Sequence, residues 1–117
     1  MAYDDLLYDR LVRSLNEQKV NYTTKKMFGG LCFMIDDKMA FGVHENRLMV
    51  RLDPDIYPTV LKEPGCRPMD FTGRPMRGFV FVEGEGIDTD SSLVKWINYA
   101  LEFNPRAKSS KKKKKKV

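Results

Sequence analysis

Leu31-Cys32-Phe33-Met34-Ile35-Asp36-Asp37-Lys38-Met39-Ala40-Phe41-Gly42-Val43-His44-Glu45-Asn46-Arg47-Leu48-Met49-Val50-Arg51-Leu52 alternates apolar runs with short polar breaks, in the rhythm of a sheet. Leu31 to Ile35 is a short apolar strand, and Asp36-Asp37-Lys38 is a tight hairpin turn. Met39, Phe41 and Val43 then alternate with Ala40 and Gly42, which predicts one bulky face and one that admits close backbone approach. His44-Glu45-Asn46 is the next turn. Leu48, Val50 and Leu52 alternate with Arg47, Met49 and Arg51. Upstream, Thr23 to Phe28 suits a strand, and Gly29-Gly30 marks a turn or bulge. The sum is a four-stranded antiparallel meander over residues 23–52.

Helices flank it. Leu7, Leu11 and Leu15, widened by Tyr8 and Val12, form an apolar stripe that predicts a helix over residues 3–18. Asp53-Pro54 fits a helix start, with Asp53 as cap, and Glu63-Pro64-Gly65 ends that short helix. Residues 65–78 read as a long loop or irregular edge strand. Phe79 to Val82 is wholly apolar, which predicts a strand buried on both sides. Asp90-Ser91-Ser92 is expected to cap a last helix with Leu93, Ile97, Ala100 and Leu101 as its stripe. Trp96 flanks that stripe and is expected to be buried, and Asn104-Pro105 stops the helix. The fold class is therefore α+β in two layers: the meander plus one or more later strands, with N- and C-terminal helices on one face.

The chain has 117 residues, which predicts one domain, over residues 1–107. Its apolar share of 42% and aromatic share of 11% are those of a globular protein rather than a disordered one. The net charge of +5 is unevenly placed. Without Lys108, Lys111, Lys112, Lys113, Lys114, Lys115 and Lys116, residues 1–107 carry −2. The domain itself is not basic, and residues 108–117 are expected to be a disordered polylysine tail. Cys32 and Cys66 stand without a CxxC motif or a secretion signal, which points to reduced thiols in the cytoplasm. No apolar stretch approaches the roughly 18 residues that predict a membrane span.

Catalytic signatures are missing. His44, the sole histidine, is expected in an exposed turn, and it has no second histidine for a zinc site or partners for a triad. Gly29-Gly30 precedes a strand rather than a helix and lacks the remainder of a phosphate-loop motif, so a bulge is the better reading. Cys66 lies near Arg67, which would lower its pKa, but no general base accompanies it. No catalytic residue, metal site or cofactor is expected. Arg47 and Arg51 share a strand face, and Arg67, Arg74 and Arg77 lie in or beside the long loop. If the loop folds over that strand, these guanidinium groups meet in a site suited to phosphate or carboxylate. Pairing with Asp53, Asp70, Glu83 and Glu85 is the plainer alternative. Met69 and Met76 in the loop would suit a partner surface. The lysine run suits non-specific binding of nucleic acid or another polyanion by counterion release.

Lys26-Met27-Phe28-Gly29-Gly30, the hairpin through Lys38-Met39, Arg47-Leu48 leading into Arg51, and Trp96 with Ala100 together resemble the N-terminal domain of the TfoX/Sxy family. The loop Asp70-Phe71-Thr72-Gly73-Arg74-Pro75-Met76 resembles that of single-domain members. The resemblance implies a secretion-chaperone-like fold and a relation to regulators of natural competence, which act on gene expression with the cyclic-AMP receptor protein. Those regulators carry a second, C-terminal domain, and here a lysine tail stands in its place. The resemblance brings no catalytic residues. The expected function is a non-enzymatic regulatory or interaction module, monomeric or homodimeric, with a protein partner in transcription regulation. The alternative is a small-anion or phosphate-ligand binding domain, or an enzyme, that uses the arginine-rich loop.

Overall fold

A computed structural model describes residues 4–27, 29–69 and 77–107. The first helix, α1 (Asp5–Glu17), begins where the Asp4 carboxylate accepts a hydrogen bond from Leu6 N at 2.9 Å, and it buries Leu7, Leu11, Ser14 and Leu15. The meander follows as β1 (Thr23–Met27), β2 (Gly30–Ile35), β3 (Lys38–His44) and β4 (Arg47–Arg51). Asp36 and Asp37 take left-handed backbone angles, φ 55° and 66°, which a two-residue hairpin loop of matching twist requires. After a short helix, α2 (Tyr57–Val60), come β5 (Cys66–Pro68), β6 (Phe79–Val82) and α3 (Asp90–Phe103). All pairings are antiparallel, and the sheet order is β1-β2-β3-β4-β6-β5, so β6 inserts between β4 and the edge strand β5.

Two helix starts differ from the sequence expectation, whereas the edge-strand reading of the long loop holds at Cys66–Pro68. Asp53 does not cap a helix directly: its carboxylate accepts from Asp55 N at 2.9 Å and closes a local turn, so α2 starts only at Tyr57. The cap of α3 is Thr89, whose hydroxyl accepts from Ser92 N at 3.1 Å, and Asp90 is the acid of the first turn. Within the long loop, Cys66–Pro68 is an edge strand, and residues 70–76 lie outside the described residues.

Both long helices and α2 bury their apolar residues on one face of the sheet, in a cluster that includes Leu11, Leu15, Phe33, Phe41, Leu48, Val50, Val80, Trp96 and Ile97. Tyr8 stacks on Phe33 at 5.7 Å and Phe33 on Phe41 at 5.2 Å, so α1 seats on β2 and β3 through aromatic contacts. The second face has its own buried cluster of Cys32, Met34, Met39, Met49, Met69 and Phe81. Met69 is thus core rather than partner surface, and β6 is packed on both sides, as its unbroken apolar run predicts.

Met39 reveals a β-bulge. The pairs Phe33↔Phe41 and Met34↔Met39 leave Ala40 as an extra residue on β3. Ala40 and Phe41 both enter the helix-side cluster, and the phase of the strand flips. Met39 therefore faces away from Phe41 and Val43, against the alternation predicted for it. The expected close approach is present at Gly42, where a Cβ would lie 2.5 Å from Leu31 O and 2.9 Å from Cys32 Cα.

Candidate functional site

Among the described residues, the second sheet face brings expected site residues together. Arg47 and Arg51 flank Met49 on β4, and β6 lies alongside in the register Met49↔Phe81 and Arg51↔Phe79. The Arg47 guanidinium carbon sits 3.7 Å from the Phe81 ring centroid, and that of Arg51 sits 5.4 Å from the Phe79 centroid. The expectation that the two arginines share a face holds, and each lies on an aromatic ring of the neighbouring strand.

His44 is not the exposed turn residue expected from its neighbours. It ends β3, half-buried, pairs with Arg47 across the ladder and lies 5.5 Å from the Phe81 ring. Arg47 Nη2 donates to His44 Nδ1 at 2.8 Å. A guanidinium only donates, so Nδ1 is the acceptor and the ring proton sits on Nε2. Glycine-rich sequence shapes this corner: Gly29 has φ +73°, and a Cβ there would come within 3.3 Å of the His44 ring. Gly29 forms the expected turn and Gly30 opens β2.

Arg67 and Arg77 do not join them. Arg67 is opposite Phe81 on β5, but its Nε donates to Glu83 Oε2 at 2.7 Å. Arg77 is exposed in the turn before β6. Arg74, with Lys108 and Lys111 to Lys116, lies outside the described residues. The predicted pairing with acids therefore holds for Arg67. Asp53 is taken by Arg106 at 3.0 Å, and its carboxyl is held below the usual range by the Asp55 backbone N–H first and Arg106 second. Among the described residues, no carboxylate lies within ion-pair distance of Arg47 or Arg51.

The thiols are the reverse of activated. Burial pushes Cys32 up to about 12. Cys66 is raised to about 11, by burial first and the Glu63 carboxylate second, against a smaller opposing pull from Lys95. The expected lowering by Arg67 fails, because Glu83 holds that guanidinium and the chain packs around the sulfur. A thiol reagent at about pH 8 is expected to modify both cysteines of the folded protein far more slowly than free cysteine, whose pKa is about 8.5. Modification at the free-cysteine rate in a timed labelling assay would contradict this.

The described residues form a two-layer α+β domain with Arg47 and Arg51 on the second face of its sheet. Residues 15–104 match the family described as the TfoX N-terminal domain, and the chain belongs to that family. Comparison with curated proteins and with solved structures found no match. Among the described residues, no helix is long and apolar enough to cross a membrane.

Proposed function

We propose that this protein is a non-enzymatic regulatory module: a folded domain over residues 1–107 that meets a protein partner in transcription regulation, and a tail over 108–117 that holds polyanions. Family membership supports the regulatory half, with its relation to competence. Its setting is the cytoplasm, where thiols such as Cys32 and Cys66 stay reduced. The binding role is also supported by the state of the reactive groups, since His44 is engaged by Arg47 and both thiols are held protonated.

The observation that carries the polyanion reading is the placement of charge. Seven lysines follow a domain that carries −2. Such a run binds nucleic acid by releasing counterions and reads no sequence, because no aromatic side chain accompanies it for stacking on bases. Fluorescence anisotropy with oligonucleotides of random and fixed sequence, over a range of salt, tests it. Neutralising six or seven phosphates predicts a slope of log K against log salt of roughly −5 to −6 on duplex DNA. Deleting residues 108–117 is expected to abolish binding and to leave the melting temperature nearly unchanged, since the segment brings no apolar side chain before Val117. Affinity that survives the deletion, or a strong preference for one sequence, would move recognition onto the folded domain.

A further inference from the structure

We propose that Arg47 and Arg51 form a binding site for a phosphate dianion, free or at the end of a small phosphorylated molecule, on the second face of the sheet. This site is independent of the lysine tail.

The first support is charge that no carboxylate among the described residues balances. Four ion pairs join described residues: Arg10 with Asp90, Arg67 with Glu83, Lys95 with Glu63, and Arg106 with Asp53. Arg47 and Arg51 have no such partner among the described residues. The acid best placed to reach this face from β6, Glu83, is held by Arg67 at 2.7 Å. The Arg51 guanidinium is half-buried, and burial draws its pKa down, so its charge stands where water only partly serves it. A bound anion would supply the counter-charge that no described carboxylate does.

The second support is geometry. Phe79 and Phe81 are same-face neighbours on one strand, about 6.5–7 Å apart. The Arg47 guanidinium carbon lies 3.7 Å from the Phe81 ring centroid and that of Arg51 5.4 Å from the Phe79 centroid, so both charges stand over neighbouring rings of one strand on one patch of the sheet face. A cation held over a ring face is contacted through its charge rather than through its N–H groups, which remain the donors that pair bidentately with phosphate oxygens. His44 positions Arg47 through the 2.8 Å bond to Nδ1, which uses one donor and leaves the others. A phosphate monoester carries about −1.5 to −2 charges near neutral pH and matches two cations that have no carboxylate partner among the described residues, where a single carboxylate would leave one unmet.

The test uses the full chain. Inorganic phosphate, adenosine monophosphate, adenosine and succinate are titrated by calorimetry into the wild type, Arg47→Gln and Arg51→Gln. The lysine tail is present in all three proteins, so its contribution cancels. Phosphate and the nucleotide are expected to bind, adenosine is not, and each variant is expected to weaken binding about tenfold or more. A nucleotide that binds more tightly than phosphate assigns the source to nucleotides; equal affinity assigns it to the phosphate group alone. In parallel, the Arg Nε–H resonances of the wild type are followed during the phosphate titration, which needs no variant to fold. Those of Arg47 and Arg51 are expected to shift together. Wild-type affinity in both variants, unmoved Arg47 and Arg51 resonances, or succinate binding as tightly as phosphate would each overturn the proposal.

Discussion

Trp96→Ala is expected to cost about 3–5 kcal/mol of folding stability, the range for removing a large aromatic side chain from a core. The indole is 1% exposed, and it sits in the cluster that joins α3 to the sheet. It also has a polar role: Nε1 donates to Gly86 O at 3.1 Å in the turn that follows β6. Truncation therefore leaves both a cavity and a buried carbonyl without its donor. Against a total of about 5–15 kcal/mol for a domain of this kind, the loss is a large fraction. Trp96→Phe keeps most of the volume and loses the hydrogen bond, so a smaller loss of about 1–3 kcal/mol is expected. Urea melts of the three proteins measure both. A Trp96→Ala loss within about 0.5 kcal/mol, the ordinary range for surface sites, would show the burial to be wrong.

Gly30→Ala is the second large effect. A Cβ on Gly30 would lie 2.1 Å from Val43 O and 3.0 Å from His44 Cα, both backbone atoms of β3. No rotamer relieves such a clash; β2 and β3 must part. Overpacking of this kind costs about 1–3 kcal/mol or more. The displaced strand end carries His44, so the Arg47 hydrogen bond moves with it. Gly29→Ala tests the contrast. Among the described residues its new methyl meets the movable His44 ring, at 3.3 Å, and the left-handed backbone, φ +73°, adds its own strain. A change in the His44 ring resonances without gross loss of stability is expected for Gly29→Ala, and both changes for Gly30→Ala. Equal melting temperatures for wild type and Gly30→Ala would mean that the strands are not in that register.

Much of the fold was legible in residue pattern, and the reasons for what was not are local. Leu48, Val50 and Leu52 against Arg47, Met49 and Arg51 revealed the faces of β4 correctly, since an uninterrupted strand keeps period two. Met39, Phe41 and Val43 look identical to the eye of periodicity, yet the extra residue at Ala40 reverses the phase, because a bulge depends on the partner strand and leaves no mark in its own. Asp53 and Asp90 were sound cap residues in the wrong places. Asp53 found a local turn, and Thr89, one residue earlier in the chain than Asp90, took the cap of α3, a choice the chemistry of Ser, Thr and Asp leaves open. The arginines show the same limit. Their shared strand face followed from spacing, whereas the rings beneath them and the loss of Arg67 to Glu83 depend on β6 lying between β4 and β5. The environment of His44 was misread because its place at a turn says nothing about which strand end turns inward.

The helix-side cluster joins Leu7, Leu11 and Leu15 near the start of the chain to Leu93, Trp96 and Ile97 near residue 100, and Arg10 meets Asp90 at 3.5 Å across 80 positions of sequence. During synthesis this puts order into time. The meander pairs strands that are neighbours in sequence, so it can assemble as it emerges, but α1 has nothing to lean on beside the sheet until α3 arrives. At about 5–20 residues per second, the chain from β4 to the end of α3 takes several seconds to make, and throughout that interval the aromatic floor of Phe33 and Phe41 lacks half its roof. The helix side of the sheet is therefore closed by α3, which is made after every described strand. A ribosome that stalls before Trp96 releases a sheet with a greasy open side, the kind of surface that chaperones hold and proteases clear.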